Sequence, residues 1–117
     1  MRGMAFGLGI MMLGMAGAAQ AQTNPNFVQC AVCHSVKAGQ NKIGPHLAGI
    51  VGRKRASVAG YSYSAAMKGK PGVWTEKELD LYLTNPRKHV PGTKMAFAGI
   101  PDAAKRAKLI AYLKTVK

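Results

Sequence analysis

Two cysteines three positions apart, followed at once by a histidine, constrain this chain more than any other feature. They are Cys30, Cys33 and His34, in the segment Cys-Ala-Val-Cys-His. On a helical turn, residues three apart project from the same face. Both thiols can then reach the vinyl groups at one porphyrin edge while the imidazole meets the iron. The motif therefore predicts covalent attachment of one haem c, with Cys30 and Cys33 as attachment sites and His34 as an iron ligand.

A zinc site and a thiol–disulfide centre are the alternative uses of this cysteine pair. A closed zinc site needs four ligands, and the chain offers only these two cysteines besides His34, His46 and His89. A thioredoxin-like centre would place the pair between a strand and a helix, and nothing around Cys30 has a strand pattern. Haem attachment is therefore the favoured interpretation.

Residues 1–21 have the pattern of a secretory signal peptide. Arg2 precedes an uncharged apolar stretch, and the segment ends in the small-residue cleavage site Ala19-Gln20-Ala21. An uncleaved membrane anchor is the alternative, but the apolar stretch is close to the minimum for a bilayer span and contains several glycines. We expect export to the bacterial periplasm and cleavage after Ala21. Residues 22–117 then form one small domain, whose core is marginal unless a cofactor adds to it.

Further stretches, in a fixed order, make the chain resemble the class I c-type cytochromes, a family that includes mitochondrial cytochrome c and the bacterial cytochromes c2. The match runs from about Phe27 to Lys117. Its stretches are Cys30 to His34, Gly44-Pro45, Gly52-Arg53-Lys54, Tyr61-Ser62-Tyr63, Trp74, Tyr82 to Pro86, Pro91 to Phe97, and Leu109 to Leu113. The resemblance implies an all-α cytochrome c fold for residues 22–117, with three to five helices and long loops wrapped around one covalently bound haem.

The iron ligand opposite His34 has four candidates in the mature chain, namely Met67, Met95, His46 and His89. Met95 follows the turn-forming pair Pro91-Gly92, which can present one side chain inward. Met67 lies in a short predicted helix with Ser64 as N-cap, so we interpret it as apolar packing against the ring. We interpret His46 as structural and His89 as an ordinary polar residue in a loop.

The resemblance also points to Met95, so the sequence predicts His34/Met95 ligation, which raises the reduction potential of haem iron. It further implies that the Pro45 carbonyl accepts a hydrogen bond from His34. In relatives, the positions of Arg53, Tyr63 and Trp74 hold the haem propionates, and the position of Tyr82 lies beside the methionine sulfur. The predicted cofactor-binding residues are therefore Cys30, Cys33, Arg53, Tyr63, Trp74 and Tyr82.

Three helices are predicted from local signals. Asn24-Pro25 begins a helix that runs into the haem motif. Thr75 and Glu78 form a capping box for a second helix, which carries Leu79, Tyr82 and Leu83 on one face and ends at Asn85-Pro86. Pro101-Asp102 begins the last helix, with an apolar stripe of Leu109, Tyr112, Leu113 and Val116. The first helix is shorter than in the family and has Phe27 one residue late, which predicts a weaker crossing with the last helix.

Seventeen Lys and Arg against four Asp and Glu give the chain a formal charge of +13. No nucleic-acid-binding motif accompanies this charge, so we expect acidic redox proteins or membrane complexes, such as an oxidase or a cytochrome bc1-type reductase, as transient partners. Peripheral contact with an anionic membrane is also compatible with the charge. Arg87, Lys88 and Lys94 flank the Met95 segment and are the predicted docking surface.

The predicted function is that of a soluble, monomeric, periplasmic one-electron carrier rather than an enzyme. With both axial positions filled by protein, the iron has no open site for a substrate. A peroxidase-type haem enzyme is the alternative, and it would require Met95 to be a labile ligand.

Overall fold

The computed structural model describes residues 24–117. The predicted signal peptide, residues 1–21, lies outside the described residues. Within residues 24–117 there are four α-helices, which we label α1 (Ala65–Lys68), α2 (Glu76–Thr84), α3 (Pro86–His89) and α4 (Ala103–Leu113). A 3₁₀-helix spans Cys30–Val32, and the remaining backbone forms long loops. The all-α fold with long loops that the sequence predicts is therefore confirmed.

The only backbone pairing of strand type in this described part is an isolated antiparallel bridge between Lys54 and Val73. The amide of Trp74 donates to the carbonyl of Arg53 at 2.8 Å, and the amide of Gly52 donates to the carbonyl of Trp74 at 2.7 Å. These bonds tie the loop that carries Arg53 to the segment just before α2.

Side-chain caps determine where the longer helices begin. The Thr75 hydroxyl accepts from the amide of Glu78 at 3.1 Å, and the Asp102 carboxylate accepts from the amide of Lys105 at 3.0 Å. The predicted capping box is only half correct, because the Glu78 carboxylate does not return to the Thr75 amide. That amide donates to the Val73 carbonyl instead, and Glu78 contacts other side chains described below.

The segment before the cysteine pair is not the continuous helix that the sequence predicts. Asn24 closes a local turn instead of capping a helix, since its side chain accepts from the amide of Asn26 at 2.9 Å. The backbone then forms turns up to the 3₁₀-helix rather than regular α-helix. An isolated helix this short gains little from propagation, and tertiary burial of Phe27 has the larger effect. The Phe27 side chain is fully buried, with its ring centroid 5.3 Å from that of Tyr112 in α4.

Helices α2 and α4 pack against each other and form the centre of the core. The predicted apolar face of α2 is buried, with Leu79, Tyr82 and Leu83. In α4 the predicted Leu109 and Leu113 are buried, Tyr112 is half-buried, and Ile110, which the stripe did not include, is buried as well. Val116 does not extend the stripe of α4, because that helix ends at Leu113. Two ion pairs join the helices, Asp80 with Arg106 at 2.7 Å and Glu76 with Lys114 at 3.3 Å.

None of the helices within residues 24–117 combines the length and the apolar character that a membrane span requires.

Candidate functional site

A mainly apolar cavity of about 470 Å³ opens between the cysteine motif, the loops and the two longer helices. Its volume lies within the range of cavities that hold a cofactor. All eight predicted site residues line it, although they come from distant parts of the chain. They are Cys30, Cys33, His34, Arg53, Tyr63, Trp74, Tyr82 and Met95.

The cysteine motif forms one tight turn at the cavity wall. The carbonyl of Cys30 accepts from the amide of Cys33 at 3.1 Å and from the amide of His34 at 2.9 Å. Burial, together with the neighbouring Cys33, raises the pKa of the Cys30 thiol to about 11. Thiol–disulfide centres depend on a lowered cysteine pKa, so this environment does not favour the thiol-redox alternative.

The His34 ring is held in one tautomer. Its Nδ1 lies 2.7 Å from the Pro45 carbonyl oxygen, which only accepts hydrogen bonds, so Nδ1 carries the proton. Burial lowers the pKa of His34, which keeps the ring neutral. The lone pair is therefore on Nε2, as a metal-ligating imidazole requires. The Pro45 contact is the one that the family resemblance implied.

Gly44 gives the His34 ring the space for this orientation. A Cβ added at Gly44 would overlap Cε1 of the His34 ring and would lie 2.8 Å from its Nδ1. The amide of Gly44 also donates to the carbonyl of Cys33 at 2.8 Å, which fastens this loop to the cysteine motif. Sequence analysis gave Gly44 no role of its own, because a close approach between segments leaves no local pattern.

The Met95 segment is held by the hydroxyl groups of Tyr82 and Thr93. These hydroxyls are 2.7 Å apart, and the Thr93 hydroxyl also accepts from the amide of Met95 at 3.4 Å. Met67 lines the same cavity from α1, where the Ser64 hydroxyl caps the helix as predicted. Both methionine side chains therefore lie at the cavity wall, and only Met95 is in a turn-forming loop.

The two other histidines have protein partners elsewhere. His46 Nδ1 accepts from the amide of Ala48 at 3.2 Å, which agrees with a structural role. The sequence predicts a loop position for His89, but the residue is the last one of α3. Its Nε2 lies 3.0 Å from a carboxylate oxygen of Glu78. Sequence reasoning missed this pairing because the two residues belong to different helices.

Arg53 provides a test of whether the cavity suits a haem. Its Nη1 donates to the carbonyls of His46 and Ala48 at 3.0 and 3.1 Å, while its buried Nε has no hydrogen-bond partner. A buried, unpartnered donor on a cation fits a carboxylate such as a haem propionate. The Tyr63 hydroxyl accepts from the amide of Val58 at 3.0 Å, which leaves its own proton free to donate. These polar groups therefore fit the cofactor.

Comparison with known proteins identifies the family. A family model described as cytochrome c matches residues 15–117. Over 87 residues the chain is 53% identical to "Cytochrome c-type cyt cy" of Rhodobacter capsulatus, covering 74% of this chain but only 43% of that relative. Over 103 residues it is 48% identical to cytochrome c of Arabidopsis thaliana, covering 87% of this chain and 92% of that protein.

The fold is similar to that of cytochrome cH from Methylobacterium extorquens, with a TM-score of 0.74 and 41% identity over 84% of this chain and 97% of the other. These similarities support an electron carrier and give no support to the peroxidase-type alternative. Because the family model covers most of the sequence, the chain belongs to the cytochrome c family, and its cofactor is a covalently bound haem c.

Proposed function

We propose that this chain is an exported one-electron carrier of the bacterial periplasm, with His34 and Met95 as the axial ligands of its haem iron. The observation that carries the proposal is the convergence of His34 and Met95 on one cavity, although they lie far apart in the sequence. The neutral His34 tautomer and the turn that presents Met95 add to it. The export step is tested by N-terminal sequencing of periplasmic protein, which should begin at Gln22.

Haem iron held by an imidazole and a thioether exchanges one electron between its ferrous and ferric states. The protein's contribution is to hold both ligands in place. Pro45 orients the His34 ring, and the Tyr82–Thr93 pair holds the Met95 segment. A thioether is a soft, weakly basic donor, so Met95 favours ferrous iron. With His34 and Met95 both bound, the iron would offer a substrate no open site, so the proposed function is electron carriage rather than catalysis.

The ligand assignment is tested by exchanging the two methionines of the cavity. In the haem-loaded protein, Met95→Ala should abolish the sulfur-to-iron charge-transfer band of the ferric spectrum and give a high-spin or water-ligated iron. Met67→Leu is the matched control, since Met67 lines the same cavity and is replaced by an apolar side chain of similar volume. That variant should keep the band. Loss of the band in Met67→Leu and its retention in Met95→Ala would reverse the assignment.

The charged surface favours acidic redox proteins or membrane complexes, such as an oxidase or a bc1-type reductase, as partners. Arg87 and Lys88 are exposed on α3, and Lys94 is exposed beside Met95, where its Nζ donates to the Ser62 carbonyl at 2.7 Å. These three residues, which we call the Met95-side cations, flank in sequence the segment that carries the proposed ligand. Encounter with an acidic surface is then steered toward the haem, and transient docking of a monomer is sufficient for electron transfer.

A further inference from the structure

A second group of charged side chains lies behind the Trp74 wall of the cavity. It consists of Arg55, Glu78 and His89, which we call the Arg55 cluster. Trp74 lines the haem cavity, whereas Arg55, Glu78 and His89 line a separate open groove. The indole of Trp74 therefore stands between this cluster and the cofactor.

Arg55 is fixed at the back of the indole. Its side chain is only 3% exposed, and its guanidinium carbon lies 4.4 Å from the centroid of the Trp74 ring. Nη2 donates to Glu78 Oε1, and Nη1 donates to the Pro71 carbonyl at 2.8 Å. A cation stacked on an aromatic face and paired with a carboxylate is held in one orientation. The sequence contains no local signal for a buried arginine at this position.

His89 is the third member and is linked to Arg55 through one oxygen atom. Its Nε2 lies 3.0 Å from the same Oε1 of Glu78 that Arg55 contacts, and its side chain is 17% exposed. An ionised carboxylate only accepts hydrogen bonds, so Nε2 carries a proton whether the ring is neutral or charged. Protonation of His89 therefore occurs at Nδ1 and leaves the bond to Glu78 intact.

Of the side-chain types in the cluster, histidine is the one whose charge can change between about pH 5 and 8. Hydrogen bonds from His89 and Arg55 lower the pKa of the Glu78 carboxyl, so it stays ionised. Burial raises the pKa of Tyr82, whose ring centroid lies 6.4 Å from that of His89, so the phenol stays neutral. The other charges around His89 are permanent cations, Arg87 and Lys88 on α3 and Lys70 on the groove wall. The cluster is thus neutral with neutral His89 and carries +1 when His89 is protonated.

We propose that protonation of His89 raises the reduction potential of the haem, because the added charge acts on the iron across the wall formed by Trp74 and Tyr82. The two rings of this wall have centroids 5.1 Å apart, so the path between cluster and cavity is a packed aromatic layer of low dielectric constant. The inference rests on the proposed electron-carrier function. Glu78 and Arg55 are positioning residues here, since they hold His89 and balance its charge.

Linkage determines the sign of the effect. Ferric haem carries one more positive charge than ferrous haem, so a protonated His89 disfavours the ferric form, and oxidation in turn makes His89 harder to protonate. The potential is therefore highest when His89 is protonated and falls as rising pH removes that proton. An approximately threefold difference in proton affinity between the redox states corresponds to about 30 mV, since tenfold corresponds to about 59 mV for one electron.

Redox titration of the haem-loaded protein between pH 5 and 9 tests the proposal. The unmodified chain should show a sigmoidal fall in potential between two plateaus, and His89→Gln should lose it. Glu78→Gln keeps the shape of the carboxylate but not its charge, so the fall should move to lower pH. Lys70→Gln is the matched control, because it removes one permanent charge from the groove, and the fall should stay in place. A fall that persists unchanged in His89→Gln would assign the titration to another group and overturn the proposal.

A second measurement needs no variant. The His89 ring protons, followed by NMR across the same pH range, should titrate at a higher pH in the ferrous protein than in the ferric protein. Equal titration in both states would overturn the inference while leaving the electron-carrier proposal intact. A purified protein without covalent haem would instead remove the electron-carrier proposal and this inference together.

Discussion

At the scale of residues, His34 shows how immediate neighbours determine the chemistry of a side chain. The Pro45 carbonyl accepts a hydrogen bond from Nδ1–H, and burial keeps the ring neutral. The lone pair needed for iron is then on Nε2. Neither neighbour is proposed as an iron ligand, and Gly44 leaves space for the ring because it has no side chain. The orientation of the proposed iron ligand therefore depends on two adjacent residues that carry no charge.

Gly44→Ala should displace the His34 ring. The added Cβ would overlap the imidazole, so we expect the haem-loaded protein to lose about 1–3 kcal/mol of unfolding free energy, as overpacked cores do. Gly69→Ala is the matched control. Its φ of −81° suits alanine, and its Cβ would make ordinary contact with the Ala65 carbonyl oxygen at 3.4 Å. Denaturant unfolding of both variants gives the comparison, and equal losses would contradict this role of Gly44.

At the scale of elements, the segment before Cys30 supports the core without being a regular helix. Its Phe27 side chain is fully buried and contacts Tyr112 of α4, so it does reach the last helix. The family resemblance implies that this contact is made from a helix. Here turns and a 3₁₀-helix position the same ring. The weaker crossing expected of a shortened first helix stays a prediction.

Phe27→Ala should be among the more damaging single substitutions. Truncating a buried phenylalanine costs about 3–5 kcal/mol, a large share of the roughly 5–15 kcal/mol typical of a small domain. Leu81→Ala serves as the comparison, since Leu81 is 42% exposed on α2 and its truncation should cost less than about 1 kcal/mol. The unfolding free energies come from denaturant titration of the haem-loaded protein. A Phe27→Ala loss as small as that of Leu81→Ala would show that the N-terminal segment contributes little to the core.

At the scale of the whole molecule, the few acidic groups are all engaged internally. In α2, Glu76 pairs with Lys114, and Asp80 pairs with Arg106. Glu78 pairs with both Arg55 and His89. Asp102 caps α4. Four acids against seventeen Lys and Arg leave most cations without an acidic partner. The molecule therefore presents a positive field to its surroundings, and this field lengthens the range over which an acidic partner is attracted.

Electron transfer to a purified cytochrome c oxidase should slow as ionic strength rises. Salt shortens the Debye length to about 8 Å at 0.15 M, so steering weakens, and we expect a drop of about tenfold between low salt and roughly 0.2 M. Lys88→Gln should reduce this dependence. Lys108→Gln removes the same charge from α4, away in sequence from the Met95 segment, and should reduce it less. Equal effects of the two substitutions would place docking elsewhere than on the Met95-side cations.

The sequence by itself determined the features that depend on neighbours within a few positions. The cysteine turn, the caps at Ser64, Thr75 and Asp102, and the apolar face of α2 all follow from such local spacing. The family resemblance supplied the remaining candidate residues of the cavity.

Only the tertiary structure decided which distant groups meet. Glu78 leaves its predicted capping role because the loop of Arg55 and the end of α3 bring it stronger partners, a cation and a histidine. Gly44 matters because the His34 ring packs on it. Local hydrogen bonds depend on residues a few positions apart and can be read from the sequence, whereas these contacts depend on how the whole core packs.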